Sequence, residues 1–420
     1  MSSPKLVSFG EAPFEIIDGD RGKNYPQRSE FTEAGHCLFL SATNVTKSGF
    51  SFSESQFIDP KRDAALNKGK LQREDIVLTT RGTIGNSAYY NQAVPYSHLR
   101  INSGMVILRC DRSKLLPAYL YHFVRSPDFF TQVNGLRSGV AQPQLPIRDM
   151  RRIRFHLPDL PTQRKIAGIL SAYDDLIENN LRRIKILEEM AQSLYREWFV
   201  HFRFPGHESA KFVDSELGQI PEGWHWKKVG DAFEILGGGT PSTANEEYWA
   251  DGDIQWYSPR DLTAESTMFI EKSAVQINEL GLKKSSAKMF PAYSVMLTSR
   301  ATIGAIAINT VPSCTNQGFI TCLPNAKVPL YFLHQWLKAN VETFILHASG
   351  STFKEISKGV FKGLDFLLPV AGLVQRYQQS ISPVADQLLT LQRLNQNLRR
   401  TRDLLLPKIL CPNHSFKKSK

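Results

Sequence analysis

"LTTRGTIG", Leu78–Gly85, returns almost unchanged as "LTSRATIG", Leu297–Gly304, with the two arginines 219 positions apart. That distance is too long for a solenoid repeat and suits duplication of a whole domain. Upstream, "FEIIDG" at Phe14 faces "FEILGG" at Phe233. Downstream, "NSG" at Asn102 faces "NQG" at Asn316, and "PAYLYHFVRS" from Pro117 faces "PLYFLHQWLKA" from Pro329. "SGVAQPQL" at Ser138 then faces "SGSTFKEI" at Ser349, and "FHLPDL" at Phe155 faces "FLLPVA" at Phe366. The separation drifts only from 219 to 211, so the chain is a tandem pair of similar units, each roughly 200 residues long.

Each unit opens with short β-branched and aromatic runs broken by Gly, Pro, Asn and Asp: "CLFLSATNV", "DIVLTT" and "GMVILRC" in the first, "DIQWYS", "SVMLTS" and "GFITCL" in the second. These read as the strands of a mixed sheet. After the closing Leu-Pro the period changes. Ile166, Leu170, Tyr173, Ile177, Leu181, Ile184, Leu187, Ala191, Leu194 and Trp198 recur in steps of three and four, one apolar stripe on a helix. At 1.5 Å per residue that helix is a rod of roughly 57 Å. A second stripe, Leu388, Leu391, Leu394, Leu398 and Leu405, follows Pro383, which should kink the helix or begin a new one with Ser382 as its cap.

Two long amphipathic helices in one chain most simply bury their stripes against each other, and an antiparallel pairing gives approximate twofold symmetry. The expected fold class is therefore α+β: two tandem homologous domains of mixed β-sheet with helices, separated by two long helices forming an antiparallel coiled coil. The expected boundaries are 1–158 and 223–369 for the sheet domains, and 159–200 and 370–410 for the helices. Residues 201–222 read as a polar linker and 411–420 as a basic tail. The seam should include Ile177, Ile184, Leu187 and Leu194 from one helix and Leu388, Leu391, Leu398 and Leu405 from the other.

Composition narrows the function classes. The 420 residues carry a net charge of +11, concentrated in two segments: residues 1–158 hold 21 Lys+Arg against 14 Asp+Glu, and residues 370–420 hold 9 against 2. Such an excess suits a polyanionic partner, although a basic soluble protein with no such partner has the same composition. The first residues lack the basic segment and apolar block of a signal peptide, and no apolar run approaches the ~20 residues that cross a bilayer. A soluble intracellular protein is expected, with its five scattered cysteines as reduced thiols. H-E-x-x-H, G-x-S-x-G and Asp/Asn-Pro-Pro-Tyr/Phe are all missing, so no active site is legible.

The repeated phrase reads as a hairpin that presents Arg81 or Arg300 at its tip. Arginine can bond two acceptors on guanine or clamp a phosphate, and the hydroxyls of Thr83 and Thr302 can add short contacts. Gly85 and Gly304 occur in both copies, as a position needing positive φ or a close backbone approach would require. A shared fold could preserve the phrase for packing alone. "SGVAQPQLPIRDMRRIR" offers Gln142 and Gln144, suited to adenine edges, ahead of Arg148, Arg151, Arg152 and Arg154, which could follow phosphates. "LGGGTPS" from Leu236 resembles a phosphate cradle but fits neither G-x-G-x-x-G nor a lysine-bearing P-loop.

Taken in order, "TRGTIG", "LPTQRKIAGILSAYDDLIENNLRRIKILEEMAQSLYREWF" at Leu160, "GQIPEGWHWKKVGD" at Gly218, "GGTPSTANEEYW" at Gly238 and "SRATIG" make the chain resemble, over nearly its whole length, the specificity (S) subunits of type I restriction-modification enzymes. The resemblance implies two target recognition domains, each reading one half of an asymmetric, interrupted sequence in double-stranded DNA, with the helix pair as a ruler. It implies two methyltransferase (M) subunits that bind S-adenosylmethionine and methylate adenine N6. It also implies restriction (R) subunits that use ATP and Mg, no cofactor and no catalysis in this chain, no membrane, and a prokaryotic cytoplasm. Two other readings stay open on the residues alone: a coiled-coil scaffold for proteins only, and the recognition part of a self-contained methyltransferase or nuclease.

Overall fold

The computed structural model describes residues 5–138, 143–264, 267–350 and 354–410. It divides into two compact units: Met1–Glu178 with Asn395–Lys420, and Asn179–Leu394.

In unit one the main sheet has four strands, β1 (Phe14–Asp18), β2 (Ile76–Thr79), β3 (Ser87–Tyr89) and β4 (Met105–Cys110), in the order β1-β4-β2-β3 and antiparallel throughout. Successive side chains leave a strand on opposite faces. Ile76, Leu78, Val106 and Leu108 therefore enter one core, with Phe9, Phe123, Phe129 and Phe155. Val77, Met105 and Ile107 enter another, with Leu38, Leu40, Leu99 and Ile101. Both faces are covered, which is why these runs read as continuously apolar instead of alternating.

Unit two repeats the plan with β5 (Glu234–Gly237), β6 (Phe269–Ile270), β7 (Val295–Thr298), β8 (Ile306–Asn309) and β9 (Phe319–Leu323), ordered β5-β9-β7-β8-β6. Its last pair is parallel and the others are antiparallel. Each unit adds a small mixed sheet. Cys37–Leu40 pairs antiparallel with Phe57–Ile58 and parallel with Leu99–Ile101, and Ile254–Tyr257 does the same with Val275–Ile277 and Ser313–Thr315. Entry and exit strands close each unit: Lys5–Ser8 on Arg154–Leu157, and His225–Lys228 on Asp365–Leu368.

The helices that flank and link these sheets include α1 (Pro117–Phe123), α2 (Leu160–Tyr195), α3 (Leu330–Ala339) and α4 (Ala371–Leu410). In unit one the start of α2 shares a core with the end of α4, through Ile166, Ala167 and Leu170 on one and Leu406 and Leu410 on the other. Arg402 of α4 also donates to the Asp174 carboxylate of α2 there. In unit two the end of α2 meets the start of α4, where the Tyr377 ring lies 6.1 Å from Tyr195, and in the turn that follows α2, Arg196–Val200, it lies 5.0 Å from Phe199 and 5.8 Å from Trp198. Start against end in both units makes the pairing antiparallel.

Of the expected seam, Ile177, Ile184, Leu388 and Leu391 are buried; Leu187, Leu194 and Leu405 are half-buried against the cores, and Leu398 is half-buried. Leu181 and Leu394 instead stay 44 % exposed, and the neighbouring Asn180 and Asn395 take the inward positions. A stripe built only from apolar residues misses these because helix rotation puts an adjacent polar residue on the 3-4 spacing. Pro383 does not start a new helix, since α4 is continuous around it. The Ser382 hydroxyl bonds back to the Gln378 carbonyl at 2.7 Å instead of capping an end. The segment 201–222 is more than a polar connection: it forms a hairpin, Phe212–Ser215 with Gly218–Pro221, and sends Phe202 and Phe204 onto Trp224. Cys37, Cys110, Cys314 and Cys322 are free thiols, while Cys411 lies outside the described residues.

Candidate nucleic-acid interface

The repeated phrase is the turn of a hairpin in each unit, β2–β3 and β7–β8. A threonine locks it from inside: the Thr79 hydroxyl donates to the Thr83 carbonyl, and Thr298 does the same to Thr302. The Gly85 amide bonds the Thr79 carbonyl at 3.0 Å, and the Gly304 amide bonds that of Thr298 at 3.1 Å. Gly85 has φ +90° and Gly304 φ +101°, and a methyl on them would press into Phe130 and Val341 respectively. Of the two requirements anticipated for these glycines, the positive φ is met in both copies, while the close neighbour is a side chain, Phe130 or Val341, and not another backbone. Gly82 has φ +70°, and Ala301, its replacement, keeps the same left-handed conformation at φ +61°.

Two more repeated phrases converge on this turn. "NSG" and "NQG" form matching Asx turns, with the Asn102 side chain accepting from Gly104 N at 2.8 Å and Asn316 from Gly318 N at 2.9 Å. The Thr80 and Ser299 amides then bond the Gly104 and Gly318 carbonyls, each at 2.8 Å. From the other side, Arg81 bridges Gln144 and Arg300 bridges Glu355, in short antiparallel contacts that also tie Ser138 to Gln144 and Ser349 to Glu355. Leu145 N bonds Thr80 O at 2.9 Å and Ile356 N bonds Ser299 O at 3.0 Å, so these contacts recur in both frames, although Arg81 N also bonds the Gly104 carbonyl at 3.2 Å while in unit two Ala301 N bonds the Lys354 carbonyl at 3.0 Å.

Each unit thus carries one exposed arginine on a rigid frame, with Thr83 or Thr302 exposed next to it. The structure brings Arg81, Thr83, Gly85 and Gln144 together in unit one, and Arg300, Thr302 and Gly304 in unit two. Arg148, three residues past Leu145, is 89 % exposed and lies 3.5 Å from Asp149. Gln142 lies outside the described residues.

Beside Arg300 is an open groove of about 330 Å³ lined by Pro259, Ala301, Asn316, Gln317 and Gly318, with Gln317 accepting a hydrogen bond from the Thr240 hydroxyl. Sequence reasoning missed Gln317, and it had only half of the signal for Glu355: the "SGSTFKEI" alignment places it opposite Gln144, but acid is an unexpected residue there. The glycines of "LGGGTPS" serve packing. Gly238 lies against the Thr315 and Asn316 carbonyls and Gly239 against Ser286, which leaves no room for a side chain. Among the described residues no group of three or more His, Cys, Asp or Glu could hold a metal ion, and no helix is long and apolar enough to cross a membrane.

The family described as "Type I restriction modification DNA specificity domain" matches twice, over residues 14–189 and 221–400. The chain belongs to that family. Its duplicated frames are the two tandem copies of the specificity domain, and the protein is a non-catalytic DNA sequence-specificity subunit. The HindI specificity subunit of Haemophilus influenzae is 24 % identical, over 93 % of this chain and 97 % of that protein. The MjaIX specificity subunit of Methanocaldococcus jannaschii is 33 % identical over 48 % of this chain and 46 % of that protein. A crystal structure of the type I restriction-modification S subunit from M. genitalium superposes with a TM-score of 0.56 at 14 % identity, covering 98 % of this chain and 97 % of that one, so the fold is shared. As a type I specificity subunit the chain works in an assembly with other subunits and DNA.

Proposed function

We propose that each unit reads one half of an asymmetric, interrupted double-stranded DNA target and that α2 and α4 set the unread gap between the halves. The observation that carries this reading is the convergence, in both units, of three repeated segments on an exposed arginine, with different residues around it in each copy. One frame with two decorations suits two half-sites of different sequence. The net charge of +11 supplies the phosphate attraction that holds such a protein on a duplex.

The helices would dock two adenine-N6 methyltransferase subunits. Ile169, Leu176 and Met190 of α2 are exposed and fall on one seven-residue register, off the buried stripe, which suits a second helical partner. In this assembly S-adenosylmethionine belongs to the methyltransferase and ATP with Mg to the restriction subunits, while this chain binds no cofactor. The target adenine is flipped into the methyltransferase. The place of action is the prokaryotic cytoplasm, where the host DNA is.

Binding by the complete methyltransferase complex tests the reading. Arg81→Ala should weaken discrimination at one half-site only and Arg300→Ala at the other, by about ten- to a hundredfold for a bidentate base contact. Equal weakening on every DNA sequence would make the arginines phosphate contacts, with a shallower salt dependence as the signature.

A further inference from the structure

Gln144 and Glu355 occupy the same place in the two frames. Gln144 exchanges backbone bonds with Ser138 at 2.9 and 3.0 Å, and Glu355 exchanges them with Ser349 at 2.8 and 3.0 Å. Each then bridges the arginine at the tip of its hairpin. The backbone is conserved between the units, and the side chain is not. Glu355 lies 3.7 Å from the Arg300 Nε, with both side chains about half exposed.

An ion pair that exposed contributes little to stability, about 0–1 kcal/mol, so folding gives no strong reason for an acid at this point. On a face that approaches phosphates, a carboxylate is repelled. It becomes favourable there only opposite a hydrogen-bond donor of the nucleic acid. In the major groove the donors are the amino groups of cytosine and adenine. Adenine also presents an acceptor beside its donor and so suits an amide, while cytosine presents the donor N4 alone and suits a carboxylate, which only accepts.

We propose that Glu355 is the specificity-determining residue of unit two, accepting from cytosine N4 of a C·G pair whose guanine is bonded by Arg300. The proposal rests on the reading of each unit as a half-site reader. Gln144, with one donor and one acceptor at the equivalent position beside Arg81, then matches adenine. A single exchange of amide for carboxylate on one frame thereby separates the sequences that the two units accept. The Arg300–Glu355 contact, being half exposed, opens at small cost when the base edge replaces it.

The test is to co-express the full chain or its variants with the methyltransferase subunit and to map N6-methyladenine over the host DNA. The unaltered chain comes first: an interrupted motif that depends on it confirms half-site reading, and its absence would remove that reading and this proposal together. With the motif in hand, Glu355→Gln and Glu355→Ala should each relax or change one C·G position in one half-site, discrimination there falling about tenfold or more, with the other half-site unaltered. Identical half-sites in both variants would overturn the proposal while leaving half-site reading intact. So would a uniform loss of methylation at every position, which would make Glu355 a support for Arg300, or a change confined to an A·T pair.

Discussion

Ala301 holds a backbone conformation that an alanine seldom adopts, φ +61°, because the hairpin turn requires it and the matching residue of the other unit is Gly82 at φ +70°. A side chain in the left-handed region costs roughly 1–2 kcal/mol, partly offset because alanine also restricts the unfolded chain. Ala301→Gly should therefore raise stability by about 0.5–1 kcal/mol, seen as an upward shift in thermal melting. Lower stability would mean that the alanine methyl packs favourably enough to outweigh its backbone cost. At this scale much was legible: Gly85 and Gly304 were identifiable because only glycine recurs where φ is positive and a neighbour is close. Glu355 was not, because its meaning depends on lying beside Arg300, 55 positions away in the chain and brought to it by a backbone bridge and a side-chain contact that only the fold creates.

The long helices are fastened to their units by a device that also repeats. Gln163 of α2 donates to the Lys114 carbonyl at 3.1 Å, and Gln375 of α4 donates to the Ala326 carbonyl at 3.0 Å. Next to these contacts lie equivalent histidines with different surroundings. His122 of α1 pairs with the Ser171 hydroxyl at 3.1 Å, near Asp174, Arg125 and Arg402. His334 of α3 is buried with neither ring nitrogen hydrogen-bonded among the described residues.

Burial holds the His122 imidazole down at about 4, with the nearby arginines adding to the effect and Asp174 opposing it; burial and then Lys338 hold His334 down at about 3. Since both values lie below the ordinary 6.5, the unfolded chain takes up protons first as pH falls. The stability contributed by the neutral rings is complete above about pH 6.5 and is lost progressively toward pH 4 and below, up to about 3 kcal/mol for His122 alone. Denaturant melts between pH 7 and 4 should show this slope, and His122→Gln should flatten part of it; an unchanged slope in the variant would contradict the assignment. The helices were legible as elements because the 3-4 spacing is local. Asn180 and Asn395 on the inward face were not, since helix rotation past a leucine is decided by what packs opposite.

Across the whole chain the duplication was readable because both copies keep the residues that build the frame: the turn glycines, the Asx turn asparagines and the closing strands. The recognised bases are not readable in the same way, since they depend on exposed side chains that the frame leaves free to vary. The continuity of α4 through Pro383 was also beyond local rules, as Ile381 and Ala385 on either side of it are anchored in the core of unit two. The central claim is that this chain dictates a two-part DNA target and that its helices set the gap. Mapping N6-methyladenine in cells expressing the methyltransferase with the chain, with no chain, and with four residues inserted into both α2 and α4 tests it directly. Four residues add ~6 Å per helix, close to one turn. The account predicts an asymmetric interrupted motif that vanishes without the chain and, after insertion, keeps both half-sites while its gap widens by about one or two base pairs. Methylation indifferent to the chain, or a gap unchanged by the insertion, would contradict it.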